Sequence, residues 1–188
     1  MEFEDDILNA VSALKSGGLI LYPTDTIWGI GCDATDAIAV EKIYALKKRP
    51  DEKSLIVLIA DKNDISKYVS KPGTGIFDYL STVQKPTTVV YEGAIGLAGN
   101  LVAKDGTVAI RICNDEFCKQ LIKKFGGPVV STSANISGHP FPKNFGEIAE
   151  EIKQGVDYVV RYRRQDNHIA LPSTVVKWSD GKPVILRP

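Results

Sequence analysis

Apolar and polar positions alternate along the chain in short blocks, each with a helical or a strand period. Over residues 4–15, Ile7, Leu8, Val11 and Leu14 recur at helical spacing before Gly17-Gly18, which predicts an amphipathic helix with a glycine stop. An apolar run at 19–22, the turn Pro23-Thr24-Asp25-Thr26 and a second run at 27–32 predict a hairpin. A helix is expected over 36–48, capped by Thr35 or Asp36 and ended by Pro50, followed by a strand at 55–59. Short helices are expected at 64–69 and 76–83 around Pro72-Gly73, and a strand at 87–91. Residues 93–104, rich in small side chains, show no assignable period. A strand at 107–112 precedes a helix at 116–125 that starts near Asn114 and gathers Phe117, Leu121, Ile122 and Phe125 on one side. A further helix is expected at 145–153, with strands at 158–161, 174–178 and 184–186. Hairpins beside crossovers predict an α+β fold with a mixed sheet. With no internal repeat or linker, residues 1–188 are expected to form one domain.

The stretch Val129 to Gly138, VVSTSANISG, stands apart. It begins as a buried strand after Gly126-Gly127, then places Ser131, Thr132, Ser133, Asn135 and Ser137 within seven positions. Small hydroxyl and amide side chains at the end of an apolar strand can serve a ligand at the sheet's edge. They can equally cap a following helix.

Charge and cysteine content narrow the classes. Lys+Arg 23 balances Asp+Glu 23, so no global positive field recruits nucleic acid, and an anion site has to be built locally. The acidic start MEFEDDIL is unlike a signal peptide, and no apolar run reaches the length of a membrane span. Three cysteines without a CxxC, Cys32, Cys113 and Cys118, point to a reducing, cytoplasmic setting. Two histidines, His139 and His168, do not suit a His-based metal site.

Three features could carry chemistry. Gly29-Ile30-Gly31-Cys32-Asp33-Ala34 fits GxGxxG/A, but its glycines fall inside the second hairpin strand, where they permit close approach of another backbone. Lys47-Lys48-Arg49 closes a helix, where cations are favourable by up to about 1 kcal/mol each. With no GxxxxGK[ST] in the chain, the same cluster could meet phosphates. Arg111 sits in the apolar strand TVAIRI, where it is costly unless an anion or carboxylate meets it.

In order, YPTDT, GIGCDA, LKKRP, LIVLI, TVAIR, STSANISG, LPSTVV and the final LRP span residues 22–188. This set resembles the YrdC-like family of threonylcarbamoyl-AMP synthases in its short, single-domain form. The resemblance implies a three-layer α+β fold with a mixed, twisted seven-stranded sheet around a concave basic cavity. It implies formation of threonylcarbamoyl-AMP and pyrophosphate from L-threonine, bicarbonate and ATP, with Mg²⁺ arriving on ATP. The product would serve threonylcarbamoyladenosine modification of tRNA through downstream threonylcarbamoyl-transferase proteins.

By the same resemblance, Lys47, Arg49, Ser133 and Asn135 are catalytic. Arg49, Thr107, Ser131, Ser133 and Arg187 meet ATP, and Thr26, Arg111 and Ser173 meet threonine. No metal is held by the protein itself. The chain departs from the family pattern at Lys53-Ser54-Leu55, at Leu58 in place of a histidine, at Gln84-Lys85-Pro86, and at Phe141 in place of a serine. Two alternatives stay open: a tRNA- or double-stranded-RNA-binding module of the same fold, and a paralogue with another substrate.

Overall fold

Buried β-branched and leucine positions mark the central strands, and aspartate caps mark the start of two of the helices. The computed structural model describes residues 3–48, 55–166, 169, 171–179 and 181–188. Within them lie β1 (Ile20–Tyr22), β2 (Gly29–Gly31), β3 (Ile56–Ile59), β4 (Thr87–Glu92), β5 (Thr107–Ile112), β6 (Val129–Ser133), β7 (Tyr158–Val159), β8 (Thr174–Ser179) and β9 (Lys182–Arg187). The helices are α1 (Glu4–Lys15), α2 (Ala37–Leu46), α3 (Ile76–Thr82), α4 (Glu116–Phe125) and α5 (Glu150–Gln154).

The strands form one sheet in the order β7-β1-β2-β6-β3-β5-β4-β8-β9. Pairs β1/β7, β3/β5 and β4/β8 are parallel and the other five are antiparallel, so the sheet is mixed as expected. Nine strands agree with the apolar blocks of the sequence and exceed the seven that the family resemblance implies. At the two edges, β7 contributes two residues and β9 is exposed along its whole length.

Two of the helices, α2 and α4, start at a side-chain cap, whereas α1, α3 and α5 start without one. Asp36, one of the two expected caps, accepts from the amides of Ile38 and Ala39 at 2.8 and 3.2 Å. For α4 the cap is Asp115 rather than Asn114, accepting from the Cys118 amide at 2.9 Å. Gly126 ends that helix at φ 86°, in the left-handed region a helix C-terminus favours. Residues 145–153 do not form the single helix expected. A 3-10 turn at Phe145–Glu147, capped by Asn144, gives way to extended backbone at Ile148, and α5 starts only at Glu150. Ile148 is buried in this extended form, so Phe145, Ile148 and Ile152 satisfy a helical spacing without a continuous helix.

The two glycines of β2 lie inside the strand, as anticipated, and no phosphate-binding turn is built there. A Cβ on Gly31 would stand 2.7 Å from both Tyr22 Cε1 and the Val130 carbonyl oxygen. Tyr22 crosses this strand and donates its hydroxyl to that carbonyl at 3.0 Å. One apolar cluster runs from Ile7 on α1 through β1, β3 and β5 to Ile152 and Val176. Burying each Leu, Ile or Val of that cluster stabilises the fold by about 1.5–3 kcal/mol.

Candidate active site

Register fixes which side chains share the sheet face that carries the cavity. Arg111 stands opposite Thr88 on β4 and Leu58 on β3, while Ile56 stands opposite Ala109 and Ser131. Ser133 ends β6 beside Gly29. A cavity of about 320 Å³ lies over this face, and its walls include Thr26, Ser131, Ser133, Arg111, Ser173 and Arg187. Six of the ten expected site residues therefore meet around one space.

Arg111 is the dominant charge. Its side chain is 3% exposed and its Nη2 lies 3.0 Å from Asp25 Oδ1, which is itself 9% exposed. The pair is close but poorly aligned: Arg111 Nε and Nη2 and Asp25 Oδ1 complete no hydrogen bond among the described residues. Arg111 lines the cavity while Nε and Nη2 are themselves shielded from it, so what favours an anion there is its buried charge beside a poorly aligned carboxylate. Arg111 in an apolar strand needs an anion or carboxylate, and Asp25, which the sequence places in a turn, supplies the first.

Thr26 reaches the cavity from the β1–β2 turn. Thr24 Oγ1 donates to the Ile27 carbonyl at 2.8 Å and accepts from the Thr26 amide at 3.0 Å. The hydroxyls of Thr24 and Thr26 are 3.0 Å apart. Because the Thr24 proton is committed to Ile27, Thr26 donates within the pair and keeps its own lone pairs free to accept. On the far wall, Ser173 Oγ pairs with Thr88 Oγ1 at 2.8 Å, a partner the sequence did not single out. Arg187 donates to the Ser173 carbonyl through Nε at 3.2 Å and Nη2 at 2.8 Å. Burial, and then the neighbouring Arg111, pull Arg187 below the usual guanidinium range. Two arginines thus repel across a cavity that an anion would relieve.

Lys47, Ser133 and Asn135 do come together, but not as a phosphate cradle. Lys47 is 1% exposed, and its Nζ donates to the Ser133 carbonyl, to the Asn135 carbonyl at 2.6 Å and to Asn135 Oδ1 at 3.3 Å. Asn135 Nδ2 donates to the His139 carbonyl at 2.6 Å. The stretch after β6 is therefore a turn organised around a buried ammonium, and no helix follows it directly for these residues to cap. Treating Lys47 as an ordinary cation at a helix end understated its burial. Thr107 sits off the cavity wall, its hydroxyl held by Asp105 Oδ1 at 2.7 Å. Arg49, Lys53 and His168 fall outside the described residues.

Two departures from the family pattern have distinct outcomes. Leu58 is fully buried beside Arg111 and is absent from the cavity wall. Phe141 is 38% exposed and lines the mouth, with the buried Trp28 also in the wall.

The family model Sua5_yciO_yrdC, described as Telomere recombination, matches residues 12–188. The chain belongs to this family. A threonylcarbamoyl-AMP synthase of Pseudoalteromonas translucida is 33% identical over 185 residues, covering 97% of this chain and 98% of that protein. The Sua5 protein of P. abyssi, solved in complex with L-threonine, superposes with a TM-score of 0.86 at 27% identity, over 98% of this chain. This chain spans about half, 54%, of that longer protein. A full-length HypF solved in a phosphate- and nucleotide-bound form matches with a TM-score of 0.82 at 25% identity, over 96% of this chain and 28% of its own. Among the described residues, no group of three or more His, Cys, Asp or Glu side chains could hold a metal ion, and no helix is long and apolar enough to cross a membrane.

Proposed function

We infer that this protein is an L-threonylcarbamoyladenylate synthase, a nucleotidyltransferase that joins L-threonine, bicarbonate and the AMP moiety of ATP. One observation carries the reading: the buried Arg111 guanidinium lines the same cavity as Thr26 and Ser173. An arginine can pair with the two oxygens of an α-carboxylate through two parallel bonds. The free lone pairs of Thr26 suit the hydroxyl of a threonine side chain.

Threonine nitrogen and bicarbonate first give a carbamate with loss of water. A carbamate oxygen then forms a bond to the α-phosphorus while the bond to the β-phosphate bridging oxygen breaks, and pyrophosphate leaves with that electron pair. No protein nucleophile is needed, so positioning and charge stabilisation carry the catalysis. Ser131, Ser133 and Arg187 form the ATP side of the cavity, and the family resemblance adds Arg49 and Thr107 to the residues that meet ATP. Lys47 and Asn135 hold the Ser133 turn in place. ATP enters as its Mg²⁺ complex, with the cation carried by the phosphates.

The 188 residues act as one domain, a reading supported by the continuous apolar cluster from α1 to β8. The setting is cytoplasmic, where ATP, tRNA and the downstream threonylcarbamoyl-transferase proteins that consume the product are found. Contact with tRNA or double-stranded RNA would show strong salt dependence. The test is incubation with ¹³C-bicarbonate, L-threonine and ATP, followed by mass spectrometry of the nucleotide products. Threonylcarbamoyl-AMP heavier by one carbon label is expected. An unlabelled threonyl adenylate, or AMP alone, would overturn the assignment.

A further inference from the structure

Arg163 belongs to none of the motifs that carry the family resemblance, yet it is held from three directions. Its Nη1 donates to the Thr24 carbonyl at 3.2 Å and to Asp115 Oδ2 at 3.1 Å, and its Nε to Asp166 Oδ2 at 3.4 Å. Its backbone has φ 63°, in the left-handed region where a side chain crowds the following carbonyl. Such strain persists where the surroundings over-determine it, and often near a functional site.

What the clamp holds is the turn that carries Thr26. Asp115 is the cap of α4, so Arg163 ties that helix start to the Thr24 carbonyl. Thr24 in turn fixes the Thr26 amide and hydroxyl, and between the two lies Asp25, the partner of Arg111. Asp6 anchors the segment from behind, accepting from the amides of Arg161 and Tyr162 at 3.0 and 2.7 Å. None of these contacts reaches Ser131, Ser133 or Arg187, the residues on the nucleotide side.

We propose that Arg163 is a positioning residue for the amino-acid half of the cavity: through the Thr24 carbonyl it sets where the Thr26 hydroxyl and the Asp25–Arg111 pair stand. This rests on the threonine-binding reading of the site. A residue that only stabilised the fold would affect both substrates alike, whereas Arg163 acts on one.

The experiment compares steady-state kinetics and melting of the wild type with Arg163→Gly and Arg163→Lys. Glycine removes the clamp and also relieves the positive φ, so its melting temperature should stay within a few degrees of wild type. In that variant KM for L-threonine should rise about tenfold, the scale of one charge-assisted hydrogen bond. KM for ATP, and kcat at saturating threonine, should stay within about twofold. Lysine keeps the charge and reaches one acceptor, so it should recover part of the threonine KM. An unchanged threonine KM, or ATP and threonine KM rising together, would overturn the proposal. Should the glycine variant fail to fold, the lysine variant decides by the same split. A wild-type protein indifferent to threonine would instead remove the functional reading, and the proposal with it, before any variant is compared.

Discussion

The Nζ of Lys47 donates to the carbonyl oxygen of Asn135 at 2.6 Å, from a residue 1% exposed. With the Ser133 carbonyl and Asn135 Oδ1 also receiving it, the ammonium organises the turn that presents Ser133 to the cavity. Lys47→Met keeps the stem and removes this donor; the Ser133 carbonyl still accepts from the Asn135 amide at 2.9 Å, which leaves the Asn135 carbonyl as the orphan at about 1–3 kcal/mol. For a protein of this size the melting temperature should fall by roughly 3–10 °C, and product formation at a temperature where the variant is folded should fall as well. Thermal denaturation by circular dichroism checks it. An unchanged melting temperature would mean the carbonyl contacts carry no weight.

Arg111 and Asp25 should behave as a coupled pair. Arg111→Met strands a buried carboxylate, and breaking a buried pair in this way costs about 3–5 kcal/mol. Adding Asp25→Asn removes the stranded charge, so the double variant should regain most of the lost stability in urea denaturation. It should not regain threonine binding, because the guanidinium is gone. A double variant no more stable than Arg111→Met would show that Asp25 is not the partner that matters.

The acid side of the pH profile tests Thr107. Its hydroxyl at 2.7 Å, and then its amide at 3.1 Å, hold the Asp105 carboxyl below the usual carboxylate range. A folded pKa below the unfolded value of about 3.9 stabilises the folded state above that pH. The contribution is lost as pH falls through the folded pKa. Thr107→Val removes the larger of the two donors, so the Asp105 titration followed by NMR should move up toward its ordinary value. A titration that does not move would remove this hydrogen bond from the account.

The buried thiols should be chemically quiet. Burial pushes both Cys32 and Cys118 up, with Asp33 next for Cys32 and the Cys113 hydrogen bond next for Cys118. Raised values keep the thiols protonated, and the thiolate is the nucleophile. Iodoacetamide at pH 8 should leave Cys32, Cys113 and Cys118 unlabelled in the native protein and label all three after unfolding, as read by mass spectrometry. Fast native labelling of Cys32 or Cys118 would contradict their placement.

Local pattern made much of this fold legible, because Ile7, Val11 and Leu14 of α1 and Phe117, Leu121 and Ile122 of α4 are buried as their period singles out, although Leu8 is exposed. Strand pairing was not legible, since apolar runs do not say which neighbour they take; β6 lies between β2 and β3, far from both in sequence. The broken helix at 145–153 shows the limit of periodicity, because Ile148 reaches the core from extended backbone. In the site, Arg111 announced itself as a charge in an apolar strand. Lys47 did not, since sequence cannot tell a cation at a helix end from one buried beneath the next turn. Asp25 was hidden in a turn that needed no other explanation, and Arg163 lies 139 positions from the Thr24 carbonyl it holds. Contacts that distant leave no periodic trace.

The most direct test of threonylcarbamoylation is pyrophosphate release from ATP with each component omitted in turn. If a threonine carbamate is the attacking group, release should require L-threonine and bicarbonate together and fall to background when either is absent. Serine, lacking one methyl, should support it less well, by a factor near that of about 1 kcal/mol or somewhat more. Arg111→Met, examined below its melting temperature, should show no threonine-dependent release. Release that persists in bicarbonate-depleted buffer, or that never rises with threonine, would contradict the central claim.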